Sequence, residues 1–289
     1  MIVLLLLYCY LPNVWTQKNV VPNGLGGTPV NRTRDFLYYH EDLESRGLDA
    51  ANHDFDWRIW GGDVVSIKKA PYAVLYGWVC TGSLISPNWV LTAAHCLESD
   101  FILAGSEFRN KAKRYAIQKL VYHPGWFGEK TNHHDNDFLL LELADPVPVT
   151  EYTRPIALGF HKDLNAGQPV VVSGWGYPFY KFNVSRADTF SAERLRQAWM
   201  TLVSFDECMT HLLPYYNAEF HEMSELTLRM SCALGNRPAS GVCFGDSGGP
   251  VVANNRLVGL NSWVVHCEPL LMFANVHVVM DWVLTTTGL

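Results

Sequence analysis

Short apolar runs separated by turn residues make up most of the chain after residue 58. The runs are rich in Val, Ile, Leu and Trp, and Gly, Pro and Asn lie between them. The clearest runs cover residues 72–79, 83–85, 89–92, 138–143, 170–173 and 257–263. Many short strands with frequent turns are typical of a β-sandwich or β-barrel. The pattern therefore predicts an all-β domain.

Two segments break this pattern and predict helices. Ser204 and Glu207 have the spacing of a capping box, in which each side chain satisfies a free N–H group at the start of a helix. A short helix is expected to begin there and to carry Cys208. Residues 276–285 have apolar positions at helical spacing and predict a helix near the end of the chain.

The first 58 residues differ from the rest. Residues 2–11 form an apolar run, far shorter than the roughly 18 residues that a membrane-spanning helix needs. We interpret residues 1–16 as a secretory signal peptide cleaved after Thr16, with a retained anchor as the alternative. Residues 17–58 are polar and rich in turn formers, which predicts a leader without its own core. A single domain is expected at residues 59–289.

Composition and cysteine content favour a secreted globular protein. The 289 residues are 48% hydrophobic with a formal net charge of −6, so no basic excess points to nucleic acid. Of the seven cysteines, Cys9 lies in the predicted signal peptide. The remaining even set favours disulfides over a metal site. Asn31 and Asn183 begin glycosylation sequons, which suit the extracellular compartment.

Three segments carry candidate chemistry. The run GVCFGDSGGP surrounds Ser247 with glycines, which allow a sharp bend and close approach of another molecule. His95 lies in LTAAHC, and Asp137 enters the apolar run of DNDFLLLEL, where a buried carboxylate requires a partner. Taken singly, the glycine-rich run around Ser247 also fits a surface loop, and His95 also fits a histidine packed in the interior or at the surface. Acyl transfer by a serine needs a base and a carboxylate together, since one accepts the hydroxyl proton and the other orients the base.

In their order along the chain, TAAHC, DNDFLLLEL and GDSGGP resemble the motifs of trypsin-like (chymotrypsin-fold) serine proteases, as do SGWG at 173–176 and SWV at 262–264. The resemblance covers residues 59–289. It implies an all-β fold of two packed six-stranded antiparallel β-barrels with a C-terminal helix, and an active site between the barrels. It also implies Ser247 as the nucleophile, His95 as the general base and Asp137 as the residue that orients the base. The N–H groups of Gly245 and Ser247 would form the oxyanion hole.

The same resemblance implies a zymogen. The run RIWGG at residues 58–62 is similar to the activation site of the family, although Trp60 replaces the usual valine. Cleavage after Arg58 by a trypsin-like protease would free the amine of Ile59, which would pair with Asp246 in the interior.

The family pattern also pairs the cysteines, which counting alone leaves with fifteen connectivities. The implied pairs are Cys80 with Cys96, Cys208 with Cys232, and Cys243 with Cys267. The cysteines that often join a leader to the catalytic domain are absent from this sequence, so the leader is expected to depart after cleavage.

The resemblance implies a shallow apolar pocket for the side chain before the cleaved bond. The substrate-binding positions that it implies are Gly241, Val242, Ser262, Trp263, Val264 and Leu271. Gly241 stands where an aspartate selects Lys or Arg, so a basic side chain would be desolvated there without a partner. Val264 and Leu271 replace glycines of wide-pocket members. The expected preference is elastase-like, for small aliphatic residues such as Ala or Val.

No cofactor and no metal are expected. The basic loop at residues 109–114 lacks the acids of a calcium loop and is interpreted as solvated, with an anion- or partner-binding surface as the alternative. His133 and His134 beside Asp135 are interpreted as a loop rather than a metal site.

The expected partners are a protein or peptide substrate, the activating protease and a candidate protein inhibitor. An alternative from a different class is a catalytically weak or inactive homologue that acts by binding, if Val264 and Leu271 block the pocket completely.

Overall fold

The structure is a computed structural model that describes residues 62–128, 134–176, 193–216, 225–236, 241–265 and 269–289. The strands in these ranges are β1 (Asp63–Val64), β2 (Ala73–Tyr76), β3 (Cys80–Ser86), β4 (Trp89–Thr92), β5 (Phe101–Ala104), β6 (Lys113–Tyr122), β7 (Leu139–Leu143), β8 (Ala157–Leu158), β9 (Pro169–Gly174), β10 (Arg196–Val203), β11 (Met230–Gly235), β12 (Pro250–Ala253), β13 (Arg256–Val264) and β14 (Leu270–Asn275). The helices are α1 (Phe205–Tyr216) and α2 (Met280–Thr287).

Two antiparallel barrels contain most of these strands. The first is closed in the order β2-β3-β4-β7-β6-β5. The second runs β10-β11-β14-β13-β12-β9 and closes through pairing of β9 with β10, while β1 joins β10 and β8 joins β13. The predicted all-β architecture of two six-stranded barrels with a C-terminal helix is confirmed.

An apolar cluster joins the two barrels. From the first barrel it includes Leu91 and Leu140, and from the second it includes Leu257 and Leu260, all with no exposed surface. The cluster extends to Val283 of α2, so the C-terminal helix packs against the same core. Segments of the first barrel are thereby held against segments of the second, and the candidate site residues come from both.

The helix predictions hold, with one difference in type. Ser204 precedes α1, and its hydroxyl accepts a hydrogen bond from the Glu207 N–H at 3.2 Å. The C-terminal segment begins as a 3-10 turn at Val276–Val279 and becomes α-helical only at Met280. Val276 and Val279 are both buried, which fits the three-residue period of a 3-10 turn.

Two of the expected disulfides are present. Cys80 is bonded to Cys96, and Cys208 of α1 is bonded to Cys232 of β11. Cys243 is also disulfide-bonded, but its expected partner Cys267 lies outside the described residues.

Several other predictions concern residues that the structure does not describe. These are the signal peptide, the leader, Asn31, Asn183, Arg58, Ile59 and His133. Within the described ranges, no helix combines the length and apolar character that crossing a membrane requires.

Candidate active site

The carboxylate of Asp137 is fully buried and accepts three hydrogen bonds. Oδ1 accepts from the backbone N–H of His95 at 2.9 Å, and Oδ2 accepts from His95 Nδ1 at 2.7 Å. Oδ2 also accepts from the Ser262 hydroxyl at 2.6 Å. The buried partner expected for this acid is therefore His95, and the two contacts to one histidine fix both its backbone and its ring.

These contacts determine the ionisation of Asp137. Burial alone would raise its pKa, but the neighbouring His95 and the hydrogen bonds from His95 and Ser262 outweigh burial and hold the pKa below its usual range. An ionised carboxylate is only an acceptor, so Nδ1 of His95 must carry the proton. Nε2 of the neutral ring is then an acceptor. The His95 side chain is 16% exposed, so part of the ring is accessible to solvent.

The residues before Asp137 explain how an acid is turned into the interior. Asp135 stays at the surface, where it accepts hydrogen bonds from Arg229 and, at 3.0 Å, from the Thr227 hydroxyl. Asn136 has φ of 54°, in the left-handed region that asparagine tolerates better than most residues. Its amide donates to the Gly125 carbonyl at 3.2 Å. The turn at Asn136 separates one outward and one inward carboxylate.

Ser247 lies against the segment that carries His95. Its carbonyl accepts a hydrogen bond from the N–H of Thr81 at 2.9 Å. The next residue, Gly248, has φ of 73°, and a Cβ there would overlap the Thr92 hydroxyl and lie 2.7 Å from the Ala93 nitrogen. Any larger residue at Gly248 would push the serine loop away from the histidine segment. The glycine beside the serine is thus a packing requirement as well as a conformational one.

Strand β13 connects the serine loop to Asp137. Asn261 accepts from the N–H of Gly248 at 2.8 Å through its carbonyl and donates to the carbonyl of Gly249 at 2.9 Å. Its side-chain amide donates to the carbonyl of Asp246 at 3.0 Å. The following residue is Ser262, whose hydroxyl donates to Asp137. This link was not foreseen from the sequence, where Ser262 was assigned only to substrate binding.

Asp246, the residue before the serine, is a second buried acid. Its carboxylate accepts from the N–H groups of Gly176 at 2.8 Å and Cys243 at 3.1 Å. A Cβ on Gly174 or Gly176 would overlap this carboxylate, which explains two glycines of the SGWG motif. Burial, only partly opposed by these two hydrogen bonds, raises the pKa of Asp246 to about 7.

Comparisons with known proteins identify the family of this chain. The family model described as Trypsin matches residues 59–283. Trypsin 5G1 of Aedes aegypti is 34% identical over 80% of this chain and 86% of its own length. Serine protease SP24D of Anopheles gambiae is 32% identical over 89% of this chain and 92% of its own. The chain belongs to the trypsin family. It is accordingly a serine endopeptidase, with proteins as its substrates.

A solved structure also shows the same fold as this trypsin-family chain. Neuropsin, described as a serine protease expressed in the limbic system of mouse brain, superimposes with a TM-score of 0.65. The two sequences are 23% identical, and the match covers 78% of this chain and 98% of the neuropsin chain.

Three of the residues assigned to the substrate pocket belong to, or pack against, the apolar core of the second barrel. Val242 and Leu271 are buried in one cluster, and Val264 packs against it. Val264 of β13 is paired directly with Leu271 of β14. Gly241 is buried as well. Val242, Val264 and Leu271 thus lie together, whereas Trp263 packs against a different cluster.

Gly245 and Thr81 define the backbone next to Ser247. Gly245 has φ of 93°, a conformation that strongly favours glycine. Its carbonyl accepts from the Thr81 hydroxyl at 3.1 Å. Thr81 therefore holds the loop at two points, the carbonyl of Gly245 and the carbonyl of Ser247, and no signal in the sequence identified it.

His134 is a second histidine at the site, and the sequence placed it in an unassigned loop. Its ring meets that of His95 edge to face with centroids 5.3 Å apart, and it lies 6.3 Å from the Trp263 ring. Burial, together with the nearby His95, lowers the pKa of His134 to about 4. At neutral pH it is therefore an uncharged aromatic neighbour of His95. No group of three metal-binding side chains occurs in the described ranges.

The buried Asp246 predicts an unusual pH dependence for the intact chain. Its pKa is higher in the folded than in the unfolded protein, so its contribution to stability is complete below about pH 4 and is lost as the pH rises to about 7. The loss is on the order of 4 kcal/mol. Urea unfolding should therefore show that the stability of the intact protein relative to Asp246→Asn decreases with pH, since the amide does not ionise. Parallel pH curves for the two proteins would contradict this.

Proposed function

We propose that the chain is the secreted zymogen of a serine endopeptidase that uses Ser247, His95 and Asp137 as a catalytic triad. The observation that carries the proposal is the fully buried Asp137 carboxylate. It accepts hydrogen bonds from the backbone N–H and from Nδ1 of His95. The close approach of Gly248, the residue after Ser247, to Thr92 and Ala93 supports the same proposal, because Ala93 comes two residues before His95.

The proposed reaction proceeds in two stages. Nε2 of His95 accepts the hydroxyl proton as Ser247 attacks the carbonyl carbon of the substrate. The imidazolium, stabilised by Asp137, then protonates the leaving amine, and an acyl-enzyme remains. Water, deprotonated by the same histidine, releases the acid and regenerates the serine.

Backbone donors are proposed to stabilise the negative oxygen formed in each stage. The N–H groups of Gly245 and Ser247 are the candidates, and the positive φ of Gly245 together with the bonds from Thr81 supports a fixed orientation of this loop. Removing one such donor typically costs about 2.7–4 kcal/mol of transition-state stabilisation. A side chain at Gly245 would be strained and would crowd the substrate.

Activation is proposed to follow cleavage after Arg58. The new amine of Ile59 would enter the interior and pair with Asp246, which in the intact chain accepts hydrogen bonds from backbone N–H groups. A buried ammonium would lower the pKa of Asp246 and remove the cost of ionising it at neutral pH. Because Asp246 is adjacent to Ser247 and Gly245, the new ion pair would stabilise the oxyanion loop.

The proposed specificity is for cleavage after small aliphatic residues. Gly241 offers no charge for Lys or Arg, and the residues proposed as pocket walls, Val242, Val264 and Leu271, are apolar and lie in or against one buried cluster. A basic side chain would lose its hydration without gaining a partner. A catalytically inactive homologue that acts by binding is the second candidate, since the same walls could close the pocket.

Secretion completes the proposal. The disulfides at Cys80 and Cys208 suit an oxidising compartment. We propose residues 1–16 as the signal peptide, residues 17–58 as the released leader, and Asn31 and Asn183 as glycosylation sites.

Covalent labelling tests the enzyme proposal. After cleavage at Arg58, a serine-directed phosphonate should label the protein, and the intact chain should react far more slowly. Ser247→Ala should abolish labelling, and Asp137→Asn should lower kcat by about 10⁴-fold because it favours the wrong histidine tautomer. The mass of the labelled peptide identifies the modified residue. A folded, cleaved protein that takes up no label would favour the binding homologue.

Peptide substrates that differ only in the residue before the cut test the pocket. Ala and Val should be preferred over Arg, Lys and Phe in kcat/KM. Val264→Gly should widen the pocket and raise kcat/KM for Phe by about tenfold or more, since it removes an overlap rather than adding a contact. Val149→Gly, a change at an exposed position in the loop after β7 of the first barrel, serves as the control. A preference for Arg or Lys would refute the elastase-like assignment.

A further inference from the structure

Two histidines from distant segments meet beside the second barrel. His161 is the first residue of the 3-10 turn His161–Asp163 that follows β8, and His277 lies in the 3-10 turn Val276–Val279 that follows β14. Their ring centroids are 5.0 Å apart, with an interplanar angle of 84°. The pair borders a cavity of about 540 Å³. The residues that line this cavity are Phe160, His161, Lys162, His277 and Met280.

The separation of the two rings is that of a metal-chelating pair. A tetrahedral ion bound by two imidazoles holds their ring centres about 5 Å apart, because each metal–nitrogen bond is about 2.0–2.1 Å long and a ring centre lies about 1.1 Å beyond its nitrogen. The observed 5.0 Å matches this value. His161 is exposed, so its ring can turn to direct a nitrogen toward His277. An ion can therefore bridge the two side chains without a backbone shift.

One nitrogen of the pair lacks a partner. Nδ1 of His277 is buried and has no hydrogen-bond partner among the residues that the structure describes. A buried polar atom in this state costs free energy. Burial, together with the nearby His161, lowers the pKa of His277, so the ring is neutral at pH 7. With the proton on Nε2, Nδ1 offers a lone pair that a metal ion can use.

Met280 brings a thioether to the same cavity. It follows His277 by three residues, and residues at this spacing lie on one side of a 3-10 or α-helical turn. Its flexible side chain can move the sulfur toward an ion. The described ranges contain no metal-binding group of three His, Cys, Asp or Glu side chains. This site instead combines a histidine pair with a methionine.

The charges near the cavity select the kind of metal. Lys162 and Arg256 lie over the Phe160 ring, 5.7 and 5.2 Å from its centroid, and would repel a hard cation that is held by charge alone. The nearby Asp163 carboxylate already accepts hydrogen bonds from the Phe160 N–H at 2.9 Å and the Asn254 amide at 3.3 Å. The cavity itself offers imidazole nitrogen and thioether sulfur, a donor set that suits copper better than calcium, magnesium or zinc.

We propose that His161, His277 and Met280 form a copper-binding site. The ion would join the turn after β8 to the start of α2, two segments that are far apart in sequence. Because it binds the folded chain and not the unfolded one, it would stabilise the C-terminal part of the second barrel. None of the three ligands belongs to the proposed triad or substrate pocket, so the proposal is independent of the peptidase function.

Calorimetric titration of the intact chain with Cu²⁺ tests the ligands. His95 and His134 form another edge-to-face histidine pair, with centroids 5.3 Å apart, so every protein in the test carries His134→Gln. His161→Gln and His277→Gln should each weaken copper binding by about tenfold or more. His211→Gln, at an exposed histidine of α1, should leave the affinity unchanged. Electron paramagnetic resonance of bound Cu²⁺ should show coupling to both imidazoles in the parent and to one in each ligand variant.

Thermal unfolding and a second metal complete the test. Copper at about 100 times its Kd should raise Tm by about 5 °C or more in the parent and in His211→Gln, but not in either ligand variant. Circular dichroism without metal checks that each variant is folded. Met280→Leu should weaken Cu²⁺ binding several-fold and leave Zn²⁺ binding unchanged, because a thioether favours copper over zinc.

Four outcomes would overturn the proposal. The first is equal copper affinity of the parent and both histidine variants, and the second is a loss of the same size in His211→Gln. The third is zinc binding as tight as copper binding. The fourth is binding of sulfate in place of copper, which would show that Lys162 and the histidines form an anion site. None of these measurements requires a peptide to be cut, so loss of peptidase activity would not affect the result.

Discussion

The buried carboxylate of Asp137 is the constraint on which the arrangement of the site depends. An ionised acid without exposed surface is tolerated only when donors surround it, and the donors here are two groups of His95 and the hydroxyl of Ser262. Satisfying this one charge fixes the histidine ring and attaches it to β13 of the second barrel. Asn261, the neighbour of Ser262, then bonds to the loop that carries Ser247. The hydrogen bonds that satisfy a single buried acid thereby connect parts of the site that are far apart in sequence.

Asp246 poses the opposite problem. It is as deeply buried as Asp137, but it accepts from two backbone N–H groups and its pKa rises, whereas that of Asp137 falls. The two acids show how partners, rather than burial alone, decide the charge of a group in the interior. Asp137 is kept ionised beside His95. Asp246 would pair with the Ile59 amine that proteolysis is proposed to supply.

Sequence motifs predicted the two-barrel fold, the pairing of Cys80 with Cys96, and the partner of Asp137, because these features follow from local residues in a known order. Other features depend on contacts between distant segments. The hydroxyls of Thr81 and Ser262 and the ring of His134 have no local signature, and each acquires its role only when the barrels pack.

The apolar cluster between the barrels affects which property of the protein is lost first on warming. His95 and Asp137 belong to the first barrel and Ser247 to the second, and each barrel is closed by its own ladder of hydrogen bonds. A slight separation at Leu140 and Leu260 would part the groups while both ladders stayed intact. On mild warming, we therefore expect catalytic turnover to be lost before the secondary structure.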